Sequence, residues 1–139
     1  MKMIIQHMNT IILRFDNGDD VIKGLNAFCD EQNIQAAYFT GIGACASTTL
    51  SYYNLEKKRY VDKKFEEDLE IVALTGNVAK LKNDSIIHMH GVFGDKKYLT
   101  IGGHVKKLVV SATCEIHLTV LHEKMNRSLD NATGLNLLQ

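Results

Sequence analysis

From residue 36 almost to its end, the chain has the pattern of consecutive β-strands, and this run restricts the fold more than any other feature. Segments rich in β-branched and aromatic residues alternate with glycine-containing or charged turns. We predict strands at 36–42, 46–54, 58–65, 69–80, 85–93, 98–105 and 108–122. Because short links between consecutive strands favour antiparallel pairing, the sequence predicts a large, mostly antiparallel sheet.

One helix is predicted ahead of this run. Residues 10–16 indicate a first strand, and Asn17–Asp20 then supply turn residues and a helix N-cap. Apolar residues recur at helical spacing through about residue 32, and they are Val21, Ile22, Leu25, Phe28 and Cys29. We interpret this stripe as core. One main helix beside a large antiparallel sheet places the chain in the α+β class.

The 139 residues fit one domain, with a core of about residues 8–123 and a tail at 124–139. No apolar run is long enough for a signal peptide core or a transmembrane helix, so we expect a cytoplasmic protein without a membrane partner. The three cysteines are widely spaced and odd in number, so we expect small buried residues rather than a disulfide framework.

The charge balance argues against autonomous DNA binding. Sixteen basic and sixteen acidic residues give a net charge of zero, whereas proteins that grip DNA through its phosphates usually carry a basic excess or a basic face. The lysine-rich pairs and triplets, such as Lys57–Arg59, are better explained by a solvated surface.

Two glycine-containing segments need interpretation. Gly41-Ile42-Gly43 superficially resembles the dinucleotide-binding fingerprint, but a strand-like run follows it instead of the required helix. We therefore predict a tight turn between strands there. Gly76, within a predicted strand, indicates a bulge or a close approach of backbones.

Three histidines carry the strongest functional signal. His88 and His90 are two residues apart in a predicted strand, so both side chains point to one face and Met89 points to the other. His104 follows two glycines in the next predicted strand, and the turn-like segment 94–97 between them predicts a hairpin.

The register of this hairpin decides whether the imidazoles meet. With a loop of Asp95–Lys97, Gly94 pairs with Tyr98, His88 lies opposite His104 and all three imidazoles converge. A two-residue loop would place His104 on the other face. The glycines at 102 and 103 would leave room around the rings or mark a bulge.

Three imidazoles without a fourth protein ligand are typical of a first-row metal site, zinc above all, that keeps a position open for water or a ligand. The alternative is that these histidines are structural, bonded to neighbouring carbonyls or to another subunit. Sequence alone leaves both readings open.

Other candidate residues are less specific. Glu115 and His117 share a face of a predicted strand and could form an acid/base pair, although a structural hydrogen-bonded pair or a subunit contact is the favoured interpretation. Glu70 is a second candidate acid/base, and Arg14 is a candidate for holding an anionic substrate. No nucleophile triad can be defended.

The motifs Gly41–Ala44, Leu69–Asn77, His88–His90 and Gly102–Val105, in this order and spacing, resemble the PPC domain, also called DUF296. The resemblance covers nearly the whole chain and is closest to stand-alone prokaryotic members. It implies an α+β fold and a homotrimer. The same broad fold is shared with acetolactate decarboxylase, whose metal is held by a His-x-His and a later histidine, and His88, His90 and His104 match that pattern.

Two functions follow from these observations, and a site that binds a small anion or metabolite without catalysis would give the same sequence pattern. The resemblance implies a trimeric, DNA-associated or regulatory module with a metal or ligand site and a DNA or protein partner. The chain has no proline and hence no AT-hook, so contact with DNA would need a partner protein or a basic surface of the trimer. The chemistry of the histidines instead suggests a zinc-dependent lyase or hydrolase acting on a small anionic metabolite, with Glu115 or Glu70 as acid/base.

Overall fold

The computed structural model describes residues 1–139 and confirms an α+β domain with one helix. The elements are β1 (Lys2–His7), β2 (Thr10–Asp16), α1 (Val21–Glu31), β3 (Ala37–Asn54), β4 (Arg59–Phe65), β5 (Leu69–Leu81), β6 (Asp84–Gly94), β7 (Thr100–Val120), β8 (Arg127–Asp130) and β9 (Leu135–Leu138).

Helix α1 begins and packs as its sequence pattern predicts. The Asp20 side chain accepts a hydrogen bond from the backbone N–H of Lys23, which satisfies one of the free donors of the first turn. The buried residues are Val21, Leu25, Phe28 and Cys29. The stripe therefore faces the core. No helix in the chain combines the length and apolar character needed to span a membrane.

Seven strands form one sheet in the order β1-β2-β7-β6-β5-β3-β4, and every ladder is antiparallel. Strand β3 also pairs with β7 along most of its length, so β7, β6, β5 and β3 close on themselves. Closure leaves each of these four strands with neighbours on both sides, so the free edges of the sheet are at β1 and β4.

Strands β3 and β7 are longer than predicted. They run for 18 and 21 residues, through the two breaks that we expected near residues 43–45 and 106–107.

The turn predicted at Gly41–Gly43 is wrong. This segment lies inside β3, where the register shifts against both β5 and β7. Gly43 has a φ of +150° and lies against the backbone of Thr113 and Cys114. The glycine permits a bulge, not a chain reversal.

Gly76 confirms the predicted close approach. A Cβ at this position would collide with the carbonyl oxygen of His88 and would lie 2.5 Å from the Phe39 ring. The register of the β5–β6 pairing shifts elsewhere, between Ile71 and Ala73. Gly76 therefore allows contact between β5, β6 and the core without a bulge of its own.

Both ends of the chain contain strands that the sequence pattern did not indicate. Strand β1 pairs with β2, and β8 and β9 form a separate two-stranded sheet within the segment assigned to the tail. Tyr53 donates a hydrogen bond to the carbonyl of Thr133, and Lys58 donates one to the carbonyl of Asn131. These bonds fix the β8–β9 hairpin against the outer part of β3 and the turn after it.

The core lies between α1 and the sheet. Its fully buried members include Phe15, Phe39 and Met89. Burial of Met89 confirms the predicted alternation in β6, because His88 and His90 then point to the opposite face. The three cysteines are free and buried, as expected.

A polar network fastens the end of α1 to the β5–β6 hairpin. Lys80, only 9% exposed, donates to the Ser85 hydroxyl at 2.7 Å, and that hydroxyl donates to Asp30 at 2.6 Å. Ser85 above all, and then Lys80, holds the pKa of Asp30 below its usual value. The ionised carboxylate is therefore stabilised in the folded protein.

We expect Asp30→Asn to lower the free energy of unfolding by less than about 1 kcal/mol at pH 7, because the Asp30 side chain is 57% exposed. The folded-state pKa lies below the ordinary value of 3.8, so the contribution is complete above that pH and disappears as the pH falls through the folded-state pKa. Urea unfolding at pH 7, 5 and 3 measures this. Asp84→Asn, at an exposed carboxylate outside every ion pair, is the control; an equal loss there would contradict the prediction.

Candidate metal centre

The hairpin β6–β7 brings the three histidines together, but in a different register from the predicted one. His90 lies opposite His104, and Gly94 pairs with Thr100 instead of Tyr98. The loop is Asp95–Leu99, because the Asp95 carboxylate accepts hydrogen bonds from the backbone N–H groups of Lys97 and Leu99. The predicted pairing of His88 with His104 is therefore wrong by two residues.

The predicted convergence of the imidazoles is nevertheless observed. The ring centroids of His88, His90 and His104 lie 5.2–5.4 Å apart pairwise, and their nearest ligand nitrogens all lie within 4.8 Å of one another. Nitrogens on one tetrahedral zinc ion are about 3.4 Å apart, given Zn–N bonds of about 2.0–2.1 Å. Small side-chain rotations would therefore suffice for three-point binding.

The surroundings favour the form of histidine that binds metals. Partial burial, and next the neighbouring His104, lowers the pKa of His88 to about 4. Burial and then His90 also lower the pKa of His104, with Asp62 acting in the opposite direction. Both rings are consequently neutral near pH 7, with lone pairs free for a cation.

Two neighbours shape the space around the cluster. The Tyr60 ring stacks on His104, with centroids 5.1 Å apart and an interplanar angle of 28°. A Cβ on Gly102 would lie 2.9 Å from the Gly91 carbonyl oxygen, so this glycine allows β6 and β7 to approach closely. No register shift interrupts their ladder, so the bulge considered at the two glycines is absent.

Comparison with known families gives these features a context. The model of the Plants and Prokaryotes Conserved (PCC) domain matches residues 5–122. The chain belongs to the PCC domain family. This confirms the resemblance drawn from its motifs, since PPC is another name for the same plant and prokaryote domain. A search of curated proteins found no match.

Several solved PCC-like structures are similar over nearly their full lengths. A candidate DNA-binding protein of Bacteroides thetaiotaomicron is 31% identical, with a TM-score of 0.94 and coverage of 97% of this chain and 94% of that one. A metal-containing protein of Archaeoglobus fulgidus is 34% identical, with a TM-score of 0.87 and coverage of 100% and 99%. A PPC protein of Pyrococcus horikoshii is 26% identical, with a TM-score of 0.88 and coverage of 98% and 97%.

The likeness to acetolactate decarboxylase is confined to the fold. The Bacillus subtilis enzyme is 16% identical, with a TM-score of 0.55 over 83% of this chain and 52% of that one. The PCC domain therefore shares its architecture with part of that enzyme.

The remaining candidate site residues of the PCC domain lie away from the histidines. Glu115 is exposed on β7, eleven residues beyond His104. Its backbone lies opposite that of Arg14 in the β2–β7 ladder. Arg14 donates to Asp16 at 2.9 Å. Glu70 pairs with Gly94 at the far end of the β6 ladder from the cluster. The catalytic roles of Glu115 and Glu70 stay predictions.

Sequence reasoning missed Arg127, which lies beside the cluster. Its Nη2 donates to the Asn77 side chain at 2.8 Å, and Asn77 pairs with His88 across the β5–β6 ladder. Arg127 follows 23 residues after the last histidine of the cluster, in the segment read as a tail, and no local motif marks it. Only the folding of the β8–β9 hairpin over the sheet places it here.

Proposed function

We propose that this PCC protein binds one divalent first-row metal ion per chain, zinc by preference, through His88, His90 and His104. The proximity of the three ligand nitrogens, all within 4.8 Å of one another, carries the proposal. Three imidazoles suit zinc, and they leave a coordination position open for water or a ligand. The description of the A. fulgidus relative as metal-containing adds support.

Elemental analysis of the purified untagged protein tests this proposal. We expect one zinc per chain, or stoichiometric uptake when metal-free protein is titrated with ZnCl₂. Another first-row ion at the same stoichiometry would correct the metal identity but keep the site. Absence of any metal, together with failure to bind zinc, cobalt or nickel in titrations, would contradict the proposal.

We further propose that the protein works as a homotrimeric, DNA-associated or regulatory module. The observation that favours this role is the close likeness to a candidate DNA-binding protein, with a TM-score of 0.94. Since the net charge is zero, DNA contact would depend on a partner or on a basic surface formed by the trimer. Light scattering should give the mass of a trimer, and DNA retardation should weaken as salt rises. A monomer, or no retardation even at low salt with a partner extract added, would contradict this role.

A zinc-dependent lyase or hydrolase is the second candidate for the same site, favoured by the open coordination position. Within one chain Glu70 and Glu115 lie away from the histidines, so these two glutamates could serve the site only from another subunit. If turnover of a small anionic metabolite is found, Glu70→Gln or Glu115→Gln should abolish it and leave the metal content unchanged. Turnover unaffected by both substitutions would remove these glutamates from the mechanism.

A further inference from the structure

A cavity of about 420 Å³ adjoins the histidine cluster and is lined by 14 residues. His88 and His104 form part of one wall, and the β8–β9 hairpin forms part of another. The β6–β7 ladder ends at the pair His90–His104, and the cavity occupies the space beyond that end. Its volume lies in the range of sites for small organic ligands, which is about 300–1,000 Å³.

The charges around this cavity are all of one sign. Its lining includes Lys58, Arg59 and Arg127 but no aspartate or glutamate. None of the three cations takes part in an ion pair within the chain. Lys58 and Arg127 instead donate to backbone carbonyls or to an amide. Asp130, whose pKa is lowered by hydrogen bonds from Thr133 and to a smaller extent by the charge of Lys58, lies outside the lining. A lining that contains cations and no acidic residue has a positive potential that favours an anion.

Arg127 is the residue most constrained for this purpose. Asn77 and the carbonyl of Asn136 fix its two terminal nitrogens, at 2.8 and 2.9 Å. Its Nε is buried and makes no hydrogen bond within the protein. Partial burial of a guanidinium among neutral partners costs free energy unless an anion compensates its charge. The arginine is therefore oriented before any ligand arrives.

The rest of the lining indicates what kind of anion fits. Half of the 14 residues are hydrophobic, among them Leu81, Ile86, Ile87, Leu135 and Leu137. An inorganic anion would leave this apolar surface without a partner. An organic acid with an aliphatic body would use both parts of the cavity.

We propose that this cavity binds a small aliphatic carboxylate, with its carboxylate held by Arg127 and its hydrocarbon part against the apolar wall. The head group would then lie next to His88, where it can also occupy the open position of the metal. That second contact rests on the proposed metal site, whereas the contact with Arg127 does not.

Calorimetric titration with hexanoate, in zinc-free and zinc-loaded protein, tests the proposal. We expect hexanoate to bind the zinc-free protein and to bind the zinc-loaded form more tightly. Arg127→Gln should weaken binding to the zinc-free protein about 10- to 100-fold, as expected for the loss of a hydrogen bond to a charged partner. 1-Hexanol, which has the same chain length without the charge, should bind weakly and equally to wild type and Arg127→Gln.

Arg14→Gln is the matched control, because Arg14 lies outside the cavity and is neutralised by Asp16. If Arg127→Gln loses the hairpin fold, Arg59→Gln provides a second test, since Arg59 lines the cavity and makes no ion pair. Its expected loss is a few-fold. Hexanoate binding that is undetectable in wild type, or unchanged in both cavity variants, would overturn the proposal. Arg127-dependent binding in a protein that takes up no metal would uphold the anion site and refute the metal site.

Discussion

Replacing His88 or His104 with alanine is expected to weaken zinc binding by about two orders of magnitude. Zinc sites in small proteins contribute about 10 kcal/mol or more, so each of three imidazoles accounts for about 3 kcal/mol. A change of about 1.4 kcal/mol is tenfold in affinity. Competition with a chromogenic zinc indicator measures the affinity, and elemental analysis shows whether metal survives purification.

His117→Ala is the control for these variants, because His117 lies on β7 but pairs with Ile12 and Thr40, outside the cluster. It should retain the affinity of the wild type. The urea midpoints of the metal-free variants should stay close to that of the wild type, which separates loss of a ligand from loss of the fold. Wild-type zinc affinity in both His88→Ala and His104→Ala would leave these residues structural.

Replacing Gly43 with alanine is expected to destabilise the protein by about 3–5 kcal/mol. A Cβ there would collide with the Thr113 carbonyl oxygen and lie 2.7 Å from the Cα of Cys114. The contact is with backbone, so no side-chain rotation relieves it, and strands β3 and β7 would have to separate. The φ of +150° adds backbone strain for any residue with a Cβ. Because domains of this size are stable by about 5–15 kcal/mol, much of the fold's stability would be lost.

Gly94→Ala is the matched control for this substitution. Its added Cβ would meet only the Val72 side chain, at 3.4 Å, and its φ is not positive. We expect a change within about 1 kcal/mol in urea unfolding. If Gly43→Ala were as stable as Gly94→Ala, the close packing of β3 on β7 at this bulge would not be a constraint on the fold.

The predictable parts of the fold were those fixed by local pattern. The apolar stripe and the Asp20 N-cap located α1, and period-two alternation separated Met89 from the flanking histidines. Closure of the sheet was not predictable, because it depends on β3 pairing with β7 over a long sequence separation. Nothing local distinguishes a glycine at a turn from a glycine at such a bulge, and Gly43 was misread for this reason.

The hairpin register was missed because Tyr98 and Leu99 have the apolar character of strand residues. Both lie in the loop and are exposed, at 93% and 65%. The error was two residues, and strand side chains repeat with a period of two, so every residue stayed on its predicted face. The histidine cluster therefore survived an incorrect pairing, whereas an error of one residue would have dispersed it.

The position of Arg127 beside the cluster could not be predicted from the sequence, for a different reason. Strands β8 and β9 are four residues each, too short for a clear alternation. Their position depends on bonds from Tyr53 and Lys58, which are distant in the chain. The part of the cavity formed by this hairpin is thus a product of tertiary structure alone.

The end of the β6–β7 ladder at His90–His104 has a consequence for how the protein responds to metal supply. This ladder contains only the pairs from His90–His104 to Gly94–Thr100, and beyond them β6 stays paired with β5 while β7 stays paired with β3. An ion held by His88, His90 and His104 would tie the two strands at the point where they part. Loss of the ion would remove this cross-link between β6 and β7, next to the wall of the adjoining cavity that His88 and His104 help to form. The supply of metal would thereby act directly on two residues of a ligand pocket.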